Sequence, residues 1–247
     1  MHIGAELESI KWPETMWPIK PDFLRNIPEP LLPDLGSLNG LQYPWELLAL
    51  LRDTLRERLV RSRIAKSAVI SENVVVRDPV WIEEGVVIHP FSIVIGPVYL
   101  GKNAVVGNFT QLRDSLIGDG CVVGERTSVV RSVIGAGCSF HANYLGDSLL
   151  AEGVDMGGTV RTANRKLDYS SVKSNISGYR IDTKMPKLGV IIGSGAKFGA
   201  ACETMPGVKV GSGCLVGPRV TLFDDLLDNT RCRLIQQLQV EEINFAP

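Results

Sequence analysis

His141 stands in the stretch SFHANYLGDS (residues 139–148) and is one of only three histidines in a chain of 247 residues. An imidazole titrates close to neutral pH, so a histidine at a surface site can take a proton from an attacking amine. The competing reading of His141 is a solvent-facing residue on a scaffold. His2 and His89 lie far from it in sequence. The five cysteines, Cys121, Cys138, Cys202, Cys214 and Cys232, show neither CxxC spacing nor neighbouring histidines. A three-histidine zinc centre of the hydratase kind is therefore not expected, nor is any other metal. Odd in number and scattered, the cysteines fit reduced thiols in the cytoplasm better than a disulfide frame.

The elements that must position His141 follow a beat of six. Apolar residues recur at Ile64, Ile70, Val76, Ile82, Ile88, Val94, Leu100, Val106 and Leu112. With occasional five-residue steps the beat continues through Ile117, Val123, Val129, Ile134, Phe140, Leu145, Leu150 and Met156, and it returns from Ile192 to Leu222. A second column of small or branched residues runs two places ahead of the apolar positions, at Ala68, Val74, Val80, Val86, Ser92, Val98, Ala104 and Thr110. A period of six fits neither a helix of 3.6 residues per turn nor a two-sided strand. It predicts an all-β solenoid of triangular section, the hexapeptide parallel β-helix, with room for roughly seven or eight coils between Ile64 and Leu222 at about 4.8 Å each. On this register His141 follows the inward Phe140 and reaches the outer surface.

Two segments break the beat, and a tail follows it. Residues 1–63 contain a proline-rich lead, IPEPLLPDLG, and then LQYPWELLALLRDTLRERLV. In the latter Tyr43, Leu47, Leu48, Leu51, Leu55 and Leu59 keep helical spacing and predict an amphipathic helix, to be packed on the solenoid or on a neighbouring chain. Residues 163–187, ANRKLDYSSVKSNISGYRIDTKMPK, form a long polar excursion from the β-helix of residues 64–222, of a length that is more often functional than idle. Residues 223–247 keep no clear beat and read as a cap or extension.

With 45% hydrophobic and 21% charged residues and a formal net charge of -1, the chain lacks the basic excess of a general nucleic-acid binder. Its start lacks a basic segment followed by an apolar run, and no stretch approaches the roughly 20 apolar residues of a membrane helix. A cytoplasmic protein with a local small-molecule site, and neither nucleic acid nor membrane as partner, is expected.

The stretch HANYLGDSLLAEGVDMGGTVRTAN, with KLGVIIGSGAKFGAACETMPGVKVGSGCLVGP beyond the excursion, resembles the acetyltransferase half of the archaeal-type glucosamine-1-phosphate N-acetyltransferase/sugar-1-phosphate nucleotidylyltransferases. His141, Tyr144, Gly146, Asp147, Gly157 and Asn164 match that family's pattern, and YPWELL at Tyr43 to Leu48 resembles its joint between domains. The resemblance implies a left-handed β-helix, a homotrimer, and acetyl transfer from acetyl-CoA to an amino sugar, with His141 as base. Only about 40 residues precede Leu41, against the roughly 200 of a nucleotide-binding domain, and no phosphate-binding glycine loop is present. Nucleotidyl transfer is therefore not expected.

By the same resemblance Tyr144 and Asn164 contact the sugar or its phosphate, and Asp155 replaces a sugar-contacting asparagine. An ionised carboxylate accepts hydrogen bonds without donating any, and favours a cationic amine over a phosphate. The family's phosphate-binding cation falls at Val130, beside Arg131, while Arg113 matches the same motif a coil earlier; spacing does not choose between the arginines. Lys187 is the excursion's best match. Acetyl-CoA would meet backbone near Ala200 and Met205, with Lys197, Lys209 or Arg219 at its phosphates. The rival reading is a non-catalytic β-helix, a binding or regulatory subunit of a sugar-nucleotide pathway.

Overall fold

The computed structural model describes residues 10–243. His2, and the start of the chain on which the leader expectation rests, lie outside them. The six-residue beat folds as a three-faced parallel β-helix of about nine turns. On the first face Ile64, Ile82, Leu100, Ile117, Ile134 and Leu150 stack as ladder partners in successive coils, and Ile192 and Val210 continue them. On the second, Ile70 begins a column that runs through Val123, Phe140, Met156 and Phe198 to Val216. The third aligns Val76, Val94, Leu112, Val129 and Leu145. The third and first faces join in one 14-stranded sheet, because Ile93–Leu100 and Gln111–Ile117 run round the corner between them; the second is a separate nine-stranded sheet. The inward residues from Val80 to Leu222 form one continuous core.

Small residues of the second column satisfy the backbone at the corners. Ser92 Oγ donates to the Gly107 carbonyl at 2.7 Å and Thr110 Oγ1 to that of Gly124 at 2.9 Å. Cys121, Cys202 and Cys214 do the same with their thiols, to Gly135, Gly217 and Leu227. The five cysteines are free, and all but Cys232 are buried, acting as small core residues with a weak donor.

The N-terminal segment is a strap along the outer side of the first face. Short 3-10 turns lead into helix α1, Leu35–Asn39, and helix α2, Pro44–Arg58. Proline at its first position and the Glu46 carboxylate, which accepts from the Gln42 and Tyr43 amides, start α2 at the expected place. Its Leu47, Leu48, Leu51 and Leu55 are fully buried against the outward Tyr99, Leu116, Val133, Leu149 and Ile191. Of the two packings the sequence allowed, the helix takes the solenoid. Each such leucine is worth about 1.5–3 kcal/mol when buried, so the first face is closed firmly.

Residues 163–187 are more ordered than a polar loop. They carry an antiparallel hairpin, Lys173–Ile176 with Tyr179–Asp182, and Val172 is buried in the strap's core. The Leu188 amide donates to the Asn164 carbonyl at 2.9 Å and closes the excursion at its root. Beyond Leu222 the expected boundary is corrected: Leu226 bridges Val210, and Arg231–Cys232 pairs with Leu215–Val216. These ladder steps span sixteen residues, as from Ile134 to Leu150, but here the inward residues stand in a mostly polar, exposed stretch. Among the described residues no helix is long and apolar enough to cross a membrane.

Lys209 corrects a second expectation. It lies on the outer side of the first face, where the strap covers it to 2% exposure. Its Nζ meets Asp225 Oδ2 at 2.5 Å and the Asn175 carbonyl of the hairpin, with the Trp17 ring 5.6 Å away. Burial lowers the Lys209 pKa against the opposing pull of Asp225. So placed, it joins strap, hairpin and last coil and is closed to a CoA phosphate. Lys209→Ala leaves Asp225 without its cation and is expected to cost about 3–5 kcal/mol in denaturant unfolding, most of it regained when Asp225 is also made apolar.

Candidate active site

His141 lies at the corner where the second face ends and the third begins. Its side chain is exposed, and its Nδ1 sits over Gly124 of the preceding coil, where an added Cβ would come within 3.1 Å of it. The bend that carries it is pinned from inside: buried Asn143 accepts from the His141 amide at 2.7 Å and donates to the Gly157 carbonyl at 3.1 Å. Sequence reasoning passed over Asn143, although it continues the inward column of Ser92 and Thr110. Ala142, next to His141, adopts a left-handed φ of 52°, as Arg126, Phe109 and Phe91 do in the preceding coils of this edge. Phe91 and Phe109 are exposed and stacked, with ring centroids 5.2 Å apart. His89 shares the edge three coils earlier, about 14 Å away at about 4.8 Å per coil, too far to join His141 on one metal. Among the described residues no group of three potential metal ligands gathers anywhere.

Tyr144 opens the third-face strand that follows, Tyr144–Gly146, and its ring lies across Gly146, where a Cβ would meet the hydroxyl at 2.7 Å. Asn164 Nδ2 approaches the Tyr144 hydroxyl at 3.4 Å and donates to Asp147 Oδ2 at 2.6 Å. Asp147, 2% exposed, also accepts two bonds from Arg131, from Nε and Nη2, each 2.7 Å long. These bonds raise the Arg131 pKa further. The two arginines differ in setting: Arg131 is engaged by Asp147, whereas the exposed Arg113 has no hydrogen-bond or ion-pair partner among the described residues and lies in ladder line with Val130 and Gly146. Lys187, half-buried beside the excursion's root at Asn164, also has no side-chain partner among the described residues.

Asp155 lies exposed on the second face, between Ser139 and Lys197 in the ladder, and so on the other side of the His141 edge from Tyr144. Further along, Lys197 joins Arg231 and Arg233 around a pocket of about 240 Å³ that no carboxylate lines, floored by Gly199 and Gly217. Ala200 and Arg219 are exposed at the same edge. Met205 is not: it is half-buried against the core at the next corner. The arginines at 231 and 233 were missed because the tail showed no beat.

Such a solenoid, with a histidine on its open edge, defines a class. A family model for the bacterial transferase hexapeptide (six repeats) matches residues 79–114, which places the six-residue beat among the hexapeptide repeats. Within that class it is similar to proteins named bifunctional GlmU. It is 34% identical to that of Methanocaldococcus jannaschii over 213 residues, 79% of this chain and 47% of the relative. It is 36% identical over 86 residues to the bifunctional sugar-1-phosphate nucleotidylyltransferase/acetyltransferase of Sulfurisphaera tokodaii, 35% of this chain and 21% of the relative. The chain spans about half the length, or less, of these curated relatives. Among solved structures, the UDP-N-acetylglucosamine acyltransferase of Campylobacter jejuni aligns with 67% of this chain and 69% of its own, at 19% identity and a TM-score of 0.41.

The two arginines should separate cleanly. Arg131→Ala is expected to lower unfolding stability by about 2–3 kcal/mol, because it strands a buried carboxylate. Arg113→Ala should stay within about 0.5 kcal/mol of the native chain; thermal and denaturant melts of both compare them.

Proposed function

We propose that the chain is a cytoplasmic, homotrimeric acetyltransferase that moves the acetyl group of acetyl-CoA onto the amine of an amino sugar, a sugar 1-phosphate such as glucosamine 1-phosphate. The observation that carries this reading is the edge itself. His141 stands exposed on it, with Tyr144, Asn164 and Arg113 on one adjoining face and the cations Lys197, Arg231 and Arg233 at the far end of the other. The names of the relatives, which include a bifunctional sugar-1-phosphate nucleotidylyltransferase/acetyltransferase, support the substrate class.

In this reading the amine attacks the thioester carbonyl carbon while His141 accepts its proton. The tetrahedral intermediate collapses, the C–S bond breaks, and the CoA sulfur leaves and takes up a proton. No covalent intermediate on the enzyme is needed. Arg113 pairs with the sugar phosphate, Lys187 adds charge beside Asn164, and Asp155 draws the amino group toward the edge. Acetyl-CoA runs past Ala200 and Arg219 to the pocket of Lys197, Arg231 and Arg233, which replaces Lys209 as the seat of its phosphates. The stacked Phe91 and Phe109, with exposed Val69 and Val122 nearby, support burial of this edge by neighbouring copies.

CoA thiol release with glucosamine 1-phosphate and a panel of other amino sugars tests the reading. The native chain is expected to release thiol only with an acceptor, and His141→Ala to slow it by about 10²–10⁴. Absence of turnover with every acceptor, together with absence of CoA binding, overturns the reading in favour of a non-catalytic subunit. Paired Arg231→Ala and Arg233→Ala changes should raise the KM for acetyl-CoA by at least about tenfold, and leave the acceptor KM alone, through loss of charge-assisted phosphate bonds.

A further inference from the structure

Asp147 ties the strap to the acceptor side of the site. It sits in a left-handed corner (φ 51°) directly above Arg131 (φ 51°) and Asp114 (φ 50°) of the two preceding coils. Helix α2 lies against this corner and contributes two arginines. Arg56 holds Asp114 through its Nε, at 3.1 Å, and Nη2. Arg52 stands between the carboxylates, with Nη2 3.7 Å from Asp114 and Nη1 3.7 Å from Asp147. Its side chain is 11% exposed, and its Nε is buried without a partner. A guanidinium is drawn into such a place by compensating buried negative charge, since nothing else there satisfies it.

What Asp147 does with that support is visible at Asn164. The Asn164 amide nitrogen has two hydrogens; one goes to Asp147 and the other faces the Tyr144 hydroxyl. This arrangement leaves Asn164 Oδ1 as an acceptor with no partner among the described residues, and the Tyr144 hydroxyl, already accepting, with its own proton to give. One free acceptor and one free donor are thereby held side by side on the third face.

We propose that Asp147 and Arg52 are positioning residues: α2, through Arg52, steadies Asp147, which fixes Asn164 and Tyr144 in the orientation that receives the hydroxyls of the sugar acceptor. The assignment of an acceptor to these groups rests on the acetyltransfer reading; the fixed orientation of Asn164 does not. Arg52 acts at a distance, and its loss should weaken acceptor binding without touching acetyl-CoA.

The test uses the full chain, labelled with ¹⁵N at asparagine, with the Asn164 side-chain amide assigned by its disappearance in Asn164→Ala. In the native chain that amide should exchange with solvent at least about tenfold more slowly than exposed asparagine amides, as one charge-assisted bond implies. Fast exchange in the native chain overturns the proposal whether or not any variant folds. Arg52→Gln should release the amide and raise the acceptor KM roughly tenfold, the loss expected of one misplaced hydrogen-bonding pair, with kcat and the acetyl-CoA KM within about twofold. Arg52→Lys, which keeps the charge, should restore most of both. A folded Arg52→Gln protein with native exchange and native acceptor KM also overturns it. If the native chain acetylates no amino sugar, the acetyltransfer reading falls alone, and amide exchange in native and Arg52→Gln chains still decides whether Arg52 and Asp147 hold Asn164.

Discussion

Every feature of this molecule depends on one coil lying in register on the next. A parallel ladder keeps each side chain about 4.8 Å above its equivalent in the preceding coil, so a residue is never placed alone; it belongs to a column. Phe140 is inward because Val123 and Met156 are inward, and that fixes His141, one residue on, at the edge. Columns also concentrate like with like: hydroxyls and thiols along the inner corners, glycines where the next backbone comes close, and charged groups wherever the outer surface is left to solvent. At Gly124 and Gly146 the close approach is to the site itself, to the His141 ring in one case and the Tyr144 ring in the other.

Burial of charge is the second ordering principle, and it acts where the strap meets the coils. Asp147 and Lys209, two coils apart along the covered face, are both almost wholly withdrawn from water; each is held by an oppositely charged residue of the neighbouring coil, Arg131 and Asp225, with Arg52 and Trp17 of the strap beside them. Pairs of this sort add less to net stability than their geometry suggests, because both ions must be desolvated. Their effect is to fix one placement of the strap over alternatives that would leave a charge stranded.

Periodicity made the solenoid legible, and with it the inward columns and the outward position of His141. The helix from Pro44 to Arg58 was legible too, from the spacing of its leucines. What escaped was of two kinds. One was the last turn, where Leu226 and Cys232 take inward places sixteen residues after Val210 and Val216 within a mostly polar, exposed tail. The other kind concerns outward residues. Alternation says that Lys209 points outward, but not that a strap 190 residues away lies over it, and spacing gave Arg113 and Arg131 equal standing until Asp147 was seen to occupy one of them. Asn143 was in reach, since its column was recognised and a polar residue there needs partners.

A triangular prism built from repeats has three nearly equivalent edges, and a strap on one face breaks that equivalence. The edge between the third and first faces is clamped by the arginines of α2, and the edge between the first and second is made of tight turns such as those at Gly120, Gly137 and Gly195, where an added Cβ would face open space. The remaining edge, opposite the covered face, carries His141. Under the proposed acetyl transfer, stoichiometry would follow from this asymmetry: although the fold repeats itself about nine times, each chain would offer one reactive edge, and copies assembled around it would count one reaction centre per chain.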